Sequence, residues 1–133
     1  MAEILLDSDI IISWLRGYEP ISSVVIRLLD DGESLIWTPV SVAAIFAGVR
    51  RSEEERVERL FLILDPLALS GEIGRKAGLY LSTYAKSHNL ELGDALIAAS
   101  AAVNRLPLWT LNRKHYPMKD IRFFSPASDR QRE

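Results

Sequence analysis

The chain has 133 residues, 48% of them hydrophobic and 26% charged, with a formal net charge of −2 and no cysteine. This is the balance of one globular domain with a core of its own, and it excludes a disordered, collagen-like or disulfide-stapled chain. Thiolate metal ligands are excluded too, and with a mildly acidic surface any nucleic-acid contact has to come from a local basic site.

The N-terminal Ile4-Leu5-Leu6 is a short continuous apolar run, the pattern of a buried strand, and it stops at Asp7-Ser8-Asp9. These three residues are natural helix caps, and Asp9 reads as a cap more readily than as a ligand. A helix is expected over Ile10 to Arg16, stopped by Gly17, and a second from Pro20 to Asp31. Leu35-Ile36-Trp37 reads as another buried strand. Ser41 is expected to cap a helix running through Val49. Glu53 to Leu64 carries Val57, Leu60, Phe61 and Leu64 on one helical face. A short strand over Pro66 to Leu69 and a long helix from Ser70 toward Ser87 follow. Gly93 to Val103 is an alanine-rich helix, Pro107-Leu108-Trp109 a third core strand, and Ile121 to Phe124 a last edge strand. Trp14, Trp37 and Trp109 read as core. Residues 1–126 form the domain; the polar stretch 127–133 is expected to be a loose tail.

Strands alternating with helices imply an α/β fold with a central, mostly parallel sheet, helices on both faces and right-handed crossovers. No apolar run reaches the roughly 20 residues a membrane span needs, and the N-terminus lacks a signal-peptide pattern, so the expected setting is cytoplasmic, with no membrane partner.

Ligands of open parallel sheets bind beyond the carboxyl ends of the strands. Asp7, Ser8 and Asp9 follow the first strand; Thr110, Leu111 and Asn112 follow Pro107-Leu108-Trp109. The two sets meet if those strands are neighbours. Asp94 begins a helix whose shared face, through Ile97, Ala98 and Ala101, is otherwise apolar. A carboxylate half-buried there needs compensation, and a hard divalent cation, Mg2+ or Mn2+, supplies it. Asp7 and Asp94 are therefore the expected metal ligands. Asn112 is placed to offer a carbonyl oxygen or hold a water, and Ser8 to touch a phosphate or a metal-bound water. Arg113, Lys114 and His115 are placed to hold a phosphate backbone. Glu91 reads as a solvated loop residue, and His88 and His115 lack metal-ligand spacing.

In this order the motifs resemble the PIN domain of VapC toxins from toxin–antitoxin pairs. The first is Leu5-Leu6-Asp7-Ser8-Asp9 through Arg16-Gly17, another is Asp94-Ala95-Leu96-Ile97-Ala98-Ala99, and the last is Thr110-Leu111-Asn112-Arg113-Lys114-His115-Tyr116-Pro117. The family's second motif, [Ser/Thr]-x-x-Glu-apolar-x-x-Gly, aligns with Ser41-Val42-Ala43-Ala44-Ile45-Phe46-Ala47-Gly48, so Ala44 stands where the glutamate belongs. The resemblance implies a three-layer α/β/α sandwich, a metal-dependent ribonuclease, a VapB-like antitoxin laid over the site, and a homodimer, heterotetramer or larger assembly. It also implies that this chain is weakened or inactive, and the intact surroundings favour a deliberate disabling change at Ala44 over natural decay.

Two other readings compete. Asp7-x-Asp9 after a strand is also the opening of haloacid-dehalogenase-like phosphatases, but the later motifs of that family are missing. A non-catalytic module that binds RNA or an antitoxin fits a naturally occurring Ala44.

Overall fold

A computed structural model of the chain describes residues 2–126; the expected tail lies outside the described residues. Five strands, β1 (Glu3–Leu6), β2 (Ser34–Trp37), β3 (Asp65–Pro66), β4 (Pro107–Trp109) and β5 (Arg122–Phe123), form one sheet in the order β3-β2-β1-β4-β5. Every pairing is parallel. Six helices cover it: α1 (Ser8–Leu15), α2 (Ile21–Asp30), α3 (Pro39–Gly48), α4 (Glu54–Ile63), α5 (Gly71–His88) and α6 (Leu92–Asn104). This is the expected α/β/α sandwich, with β1 at its centre.

Alternation along the strands makes two cores. Leu5, Ile36 and Leu108 point to the face packed by α5 and α6, with Ile73, Ala77, Ile97, Ala98 and Ala101. Ile4, Leu6, Leu35 and Trp109 point to the other, with Ile10, Ile11, Val25, Ile45 and Val57. The period of two sends neighbouring residues of a strand to opposite faces, so a buried strand has to be apolar throughout. The alanines of α6 let that helix lie close to the sheet and to α5; Ala95, Ala98 and Ala99 are fully buried. Trp109 is buried in the second core, and Trp14 and Trp37 pack against it.

Several expected boundaries shift, each for a local reason. The first helix starts at Ser8 because Asp7, not Asp9, is its cap: the Asp7 carboxylate accepts from the Ser8 N–H at 2.7 Å. Ser41 does not cap α3. Thr38 occupies the cap position and Pro39 the first turn, where a missing N–H costs nothing and the fixed φ suits a helix; Ser41 is a fully buried residue inside the helix. The strand expected over Pro66 to Leu69 is reduced to Asp65–Pro66, because Pro66 has no N–H to extend a ladder and stays on the sheet edge. Ser70 does cap α5, its hydroxyl accepting from the Ile73 N–H at 3.2 Å.

Gly17, at φ +68, ends the first helical segment in the left-handed region, and a Cβ there would meet no atom within 4 Å. Gly17→Ala therefore isolates the backbone term. It is expected to lower stability by about 1–2 kcal/mol in urea unfolding. An unchanged midpoint would mean that the turn relaxes to another conformation.

Candidate active site

The sheet order makes β1 and β4 neighbours, so the residues beyond their carboxyl ends meet. The Asp7 N–H donates to the Trp109 carbonyl at 3.0 Å, carrying the β1–β4 ladder one step further. This fixes the Asp7 side chain, 9% exposed, against Thr110, 6% exposed. Asp7 Oδ2 accepts from the Thr110 hydroxyl at 2.8 Å and from the Tyr116 hydroxyl at 2.8 Å. Its other oxygen accepts the Ser8 N–H.

Asp94 arrives from the first turn of α6, where the positive end of the helix favours a carboxylate. Its Oδ1 lies 3.5 Å from the Tyr116 hydroxyl, and its Oδ2 4.0 Å from Nδ1 of His115. Burial, then the nearby Asp7 charge, pushes the Asp94 carboxyl up, with His115 opposing. The Tyr116 phenol is raised by burial and by Asp7, and stays protonated as a donor. The Tyr116 hydroxyl thus links the buried Asp7 to the half-buried Asp94.

Asp9 is not a cap and is not idle. Its Oδ2 accepts the Leu111 N–H at 3.0 Å and lies 3.4 Å from the Thr110 hydroxyl, so it braces the loop after β4. Its Oδ1 is buried without a hydrogen-bond partner among the described residues. Burial and the Asp7 charge push its pKa from 3.8 up to about 6, against the Leu111 N–H. A raised folded-state pKa gives stability that is full below the unfolded value and lost as pH rises through the folded one. Asp9→Asn, which keeps an acceptor for Leu111, is therefore expected to gain stability relative to the parent as pH rises from about 4 to 7. The gain is on the order of 1–3 kcal/mol, read by urea unfolding in the presence of a chelator. A difference independent of pH would show that Asp9 is solvated.

The remaining expected residues are placed as follows. The Ser8 hydroxyl is 3.0 Å from that of Ser41, linking α1 to α3. Asn112 is exposed; its N–H donates to the Thr110 hydroxyl at 3.0 Å. Arg113 is tied to the last strand: it donates to the Phe124 carbonyl at 3.2 Å and the Ser125 hydroxyl at 2.6 Å, and lies over the Phe123 ring at 5.1 Å. Arg113 and Lys114 line a cleft of about 640 Å³ that also takes in Ile21, Trp109 and Thr110. Ala44 is exposed, one turn beyond Ser41, in a small cleft lined by Ile12, Arg16, Gly48 and Glu53. Glu91, also exposed, occupies the cap position of α6 without a side-chain capping hydrogen bond. Tyr116 enters the sequence analysis only as part of the last motif, with no role assigned; only the fold shows its hydroxyl near both carboxylates.

The family model described as PIN domain matches residues 4–121. The chain belongs to the PIN-domain family. The PIN domain is 40% identical to Ribonuclease VapC10 of Mycobacterium tuberculosis over 116 residues, 86% of each chain. It is 34% identical to Ribonuclease VapC19 of the same organism, over 86% of this chain and 92% of that one. These relatives place it among the VapC proteins and set the phosphatase reading aside. The fold matches the DNA-bound VapBC of Salmonella typhimurium with a TM-score of 0.78 at 17% identity, over 93% of this chain and 98% of that one. It matches FitAcB of Neisseria gonorrhoeae with a TM-score of 0.69 at 23% identity, over the same shares. No helix among the described residues is long and apolar enough to cross a membrane.

The carboxylates of Asp7 and Asp94 are hard oxygen donors, the kind that divalent cations such as Mg2+ prefer. Among the described residues no third His, Cys, Asp or Glu joins them.

Proposed function

We propose that this PIN domain is the toxin of a toxin–antitoxin pair, a ribonuclease that cleaves RNA phosphodiester bonds with Mg2+ or Mn2+, and that Ala44 leaves it weakened or inactive. The observation that carries the reading is that Asp7, buried beyond neighbouring strand ends, and the half-buried Asp94 meet through one tyrosine hydroxyl, in a chain with ribonuclease relatives.

Asp7 and Asp94 would hold the cation, which when bound supplies Lewis-acid stabilisation of phosphate charge and an activated water. The protein's own part is positional. Thr110 and the Ser8 N–H fix both oxygens of Asp7, and α6 brings Asp94 to it. Asp9 holds the loop that presents Asn112. Lys114, exposed on the rim beside Asn112, would meet a substrate phosphate, and His115, also exposed, stands by Asp94. Arg113, already held by Phe124, Ser125 and Phe123, would shape the rim more than grip RNA.

The partner is proposed as a VapB-like antitoxin in a heterotetramer or larger assembly of toxin homodimers, supported by the likeness to VapBC complexes. The test of function is cleavage of total RNA by this chain and by Ala44→Glu, with and without a chelator. Chelator-sensitive cleavage confined to, or much stronger in, the variant supports the reading. RNA bound but cut by neither protein would favour the non-catalytic module that a naturally occurring Ala44 allows.

A further inference from the structure

Each of the four oxygens of the acidic pair has a neighbour. Asp7 Oδ1 faces the Ser8 N–H, Asp7 Oδ2 the Thr110 and Tyr116 hydroxyls, Asp94 Oδ1 the Tyr116 hydroxyl, and Asp94 Oδ2 His115. Among the described residues only Tyr116 hydrogen-bonds to both acids. Its hydroxyl lies 2.8 Å from one carboxylate and 3.5 Å from the other, so it stands in the gap between them. The residue is 3% exposed, and its ring packs edge-on to Phe123 at 6.5 Å. That packing aims the hydroxyl at the acids.

A cation held by both Asp7 and Asp94 would need the space that this hydroxyl fills. A phenol oxygen and an ion cannot both occupy it. We infer that Tyr116 is a positioning residue that holds the metal-free acids together through its hydroxyl and competes with the divalent cation for the space between them. It has two effects of opposite sign. It stabilises the domain without metal, because two carboxylates share one donor, and it lowers affinity for the ion, which has to displace that donor. Phenylalanine keeps the ring packing and removes only the oxygen, so the two effects separate in one substitution. Thr110 is the natural control: it donates to Asp7 Oδ2 but, among the described residues, makes no hydrogen bond to Asp94.

The inference rests on the metal reading of the site, and the experiment separates the two. Mn2+ binding is measured by calorimetry on the parent, Tyr116→Phe, Thr110→Val, Ala44→Glu, and Ala44→Glu combined with Tyr116→Phe. Melting is followed with and without Mn2+. Tyr116→Phe is expected to tighten Mn2+ binding by about tenfold in either background, the scale of one hydrogen bond to a charged group. It should also lower the metal-free Tm and enlarge the Mn2+-induced rise. Thr110→Val should not tighten binding. A tyrosine with a merely structural role would lose affinity when altered. If Ala44→Glu binds Mn2+ but adding Tyr116→Phe leaves affinity unchanged or weaker, this inference alone falls. Equal tightening by Thr110→Val would also overturn it, since a released lone pair and not a vacated gap would then be the cause. If none of the proteins binds Mn2+, the metal reading falls and this inference with it.

Discussion

Ala44→Glu is expected to gain chelator-sensitive RNA cleavage of at least about a hundredfold over the parent, the several kcal/mol that a well-held metal contributes to a phosphoryl transition state. The geometry favours it. Residue 44 lies three positions after Ser41, on nearly the same face of α3, and the Ser41 hydroxyl is already 3.0 Å from that of Ser8, the neighbour of Asp7. Helical side chains lean toward the N-terminus of their helix, so a glutamate at 44 leans toward the strand ends. The first turn of α3 also lies against that of α6: a Cβ on Gly93 would be 3.4 Å from Val40, one residue before Asp94. The small cleft around Ala44 leaves room for the longer side chain; Arg16 and Glu53, which line it, pair with each other at 3.9 Å. An exposed alanine can become a glutamate at little cost in stability. Asp94→Asn added to the variant should abolish the gain, which ties the activity to the pair and not to a contaminating nuclease. A folded Ala44→Glu that neither binds Mn2+ nor cuts RNA would withdraw position 44 from the site.

Leu5→Ala is expected to carry the largest stability loss. Leu5 is fully buried at the centre of the middle strand, with Ile36 beside it on β2 and Leu108 on β4. Its side chain belongs to the core beneath α5 and α6, where Ala95, Ala98 and Ala99 offer no longer group to fill a void. The lost transfer energy and the remaining cavity together are expected to cost about 3–5 kcal/mol. A domain of this size should melt roughly 10–15 °C lower. Thermal and urea unfolding check it, and a loss under about 1 kcal/mol would mean that α6 collapses onto the gap. Asp7 follows this strand, two residues after Leu5, so metal affinity measured on the still-folded fraction reports whether the strand end depends on the core behind it.

Much of this was legible in the sequence because buried parallel strands have to be apolar on both faces. Ile4-Leu5-Leu6, Leu35-Ile36-Trp37 and Pro107-Leu108-Trp109 therefore stand out, and polar residues after the first and third mark the site. Asp94 was legible through its apolar helical face. Short edge elements were less so: Asp65–Pro66 pairs over only two residues, and no periodicity exists at that length. Cap positions failed where several candidates stood in a row, as at Asp7-Ser8-Asp9, because the choice depends on which backbone N–H each carboxylate reaches. The role of Tyr116 was hidden for another reason. Its hydroxyl meets Asp7 across 109 positions of chain, and such a meeting is a property of the folded sheet.

The two outer strands are each two residues long, and one of them contains Pro66. Such an edge offers a visiting chain almost no free backbone donors or acceptors to zip onto. Growth of the sheet from one molecule into the next is therefore disfavoured, which guards the chain against stacking into fibres. It also means that self-association has to be written on helix surfaces, where single side chains set the strength and allow the contact to be undone.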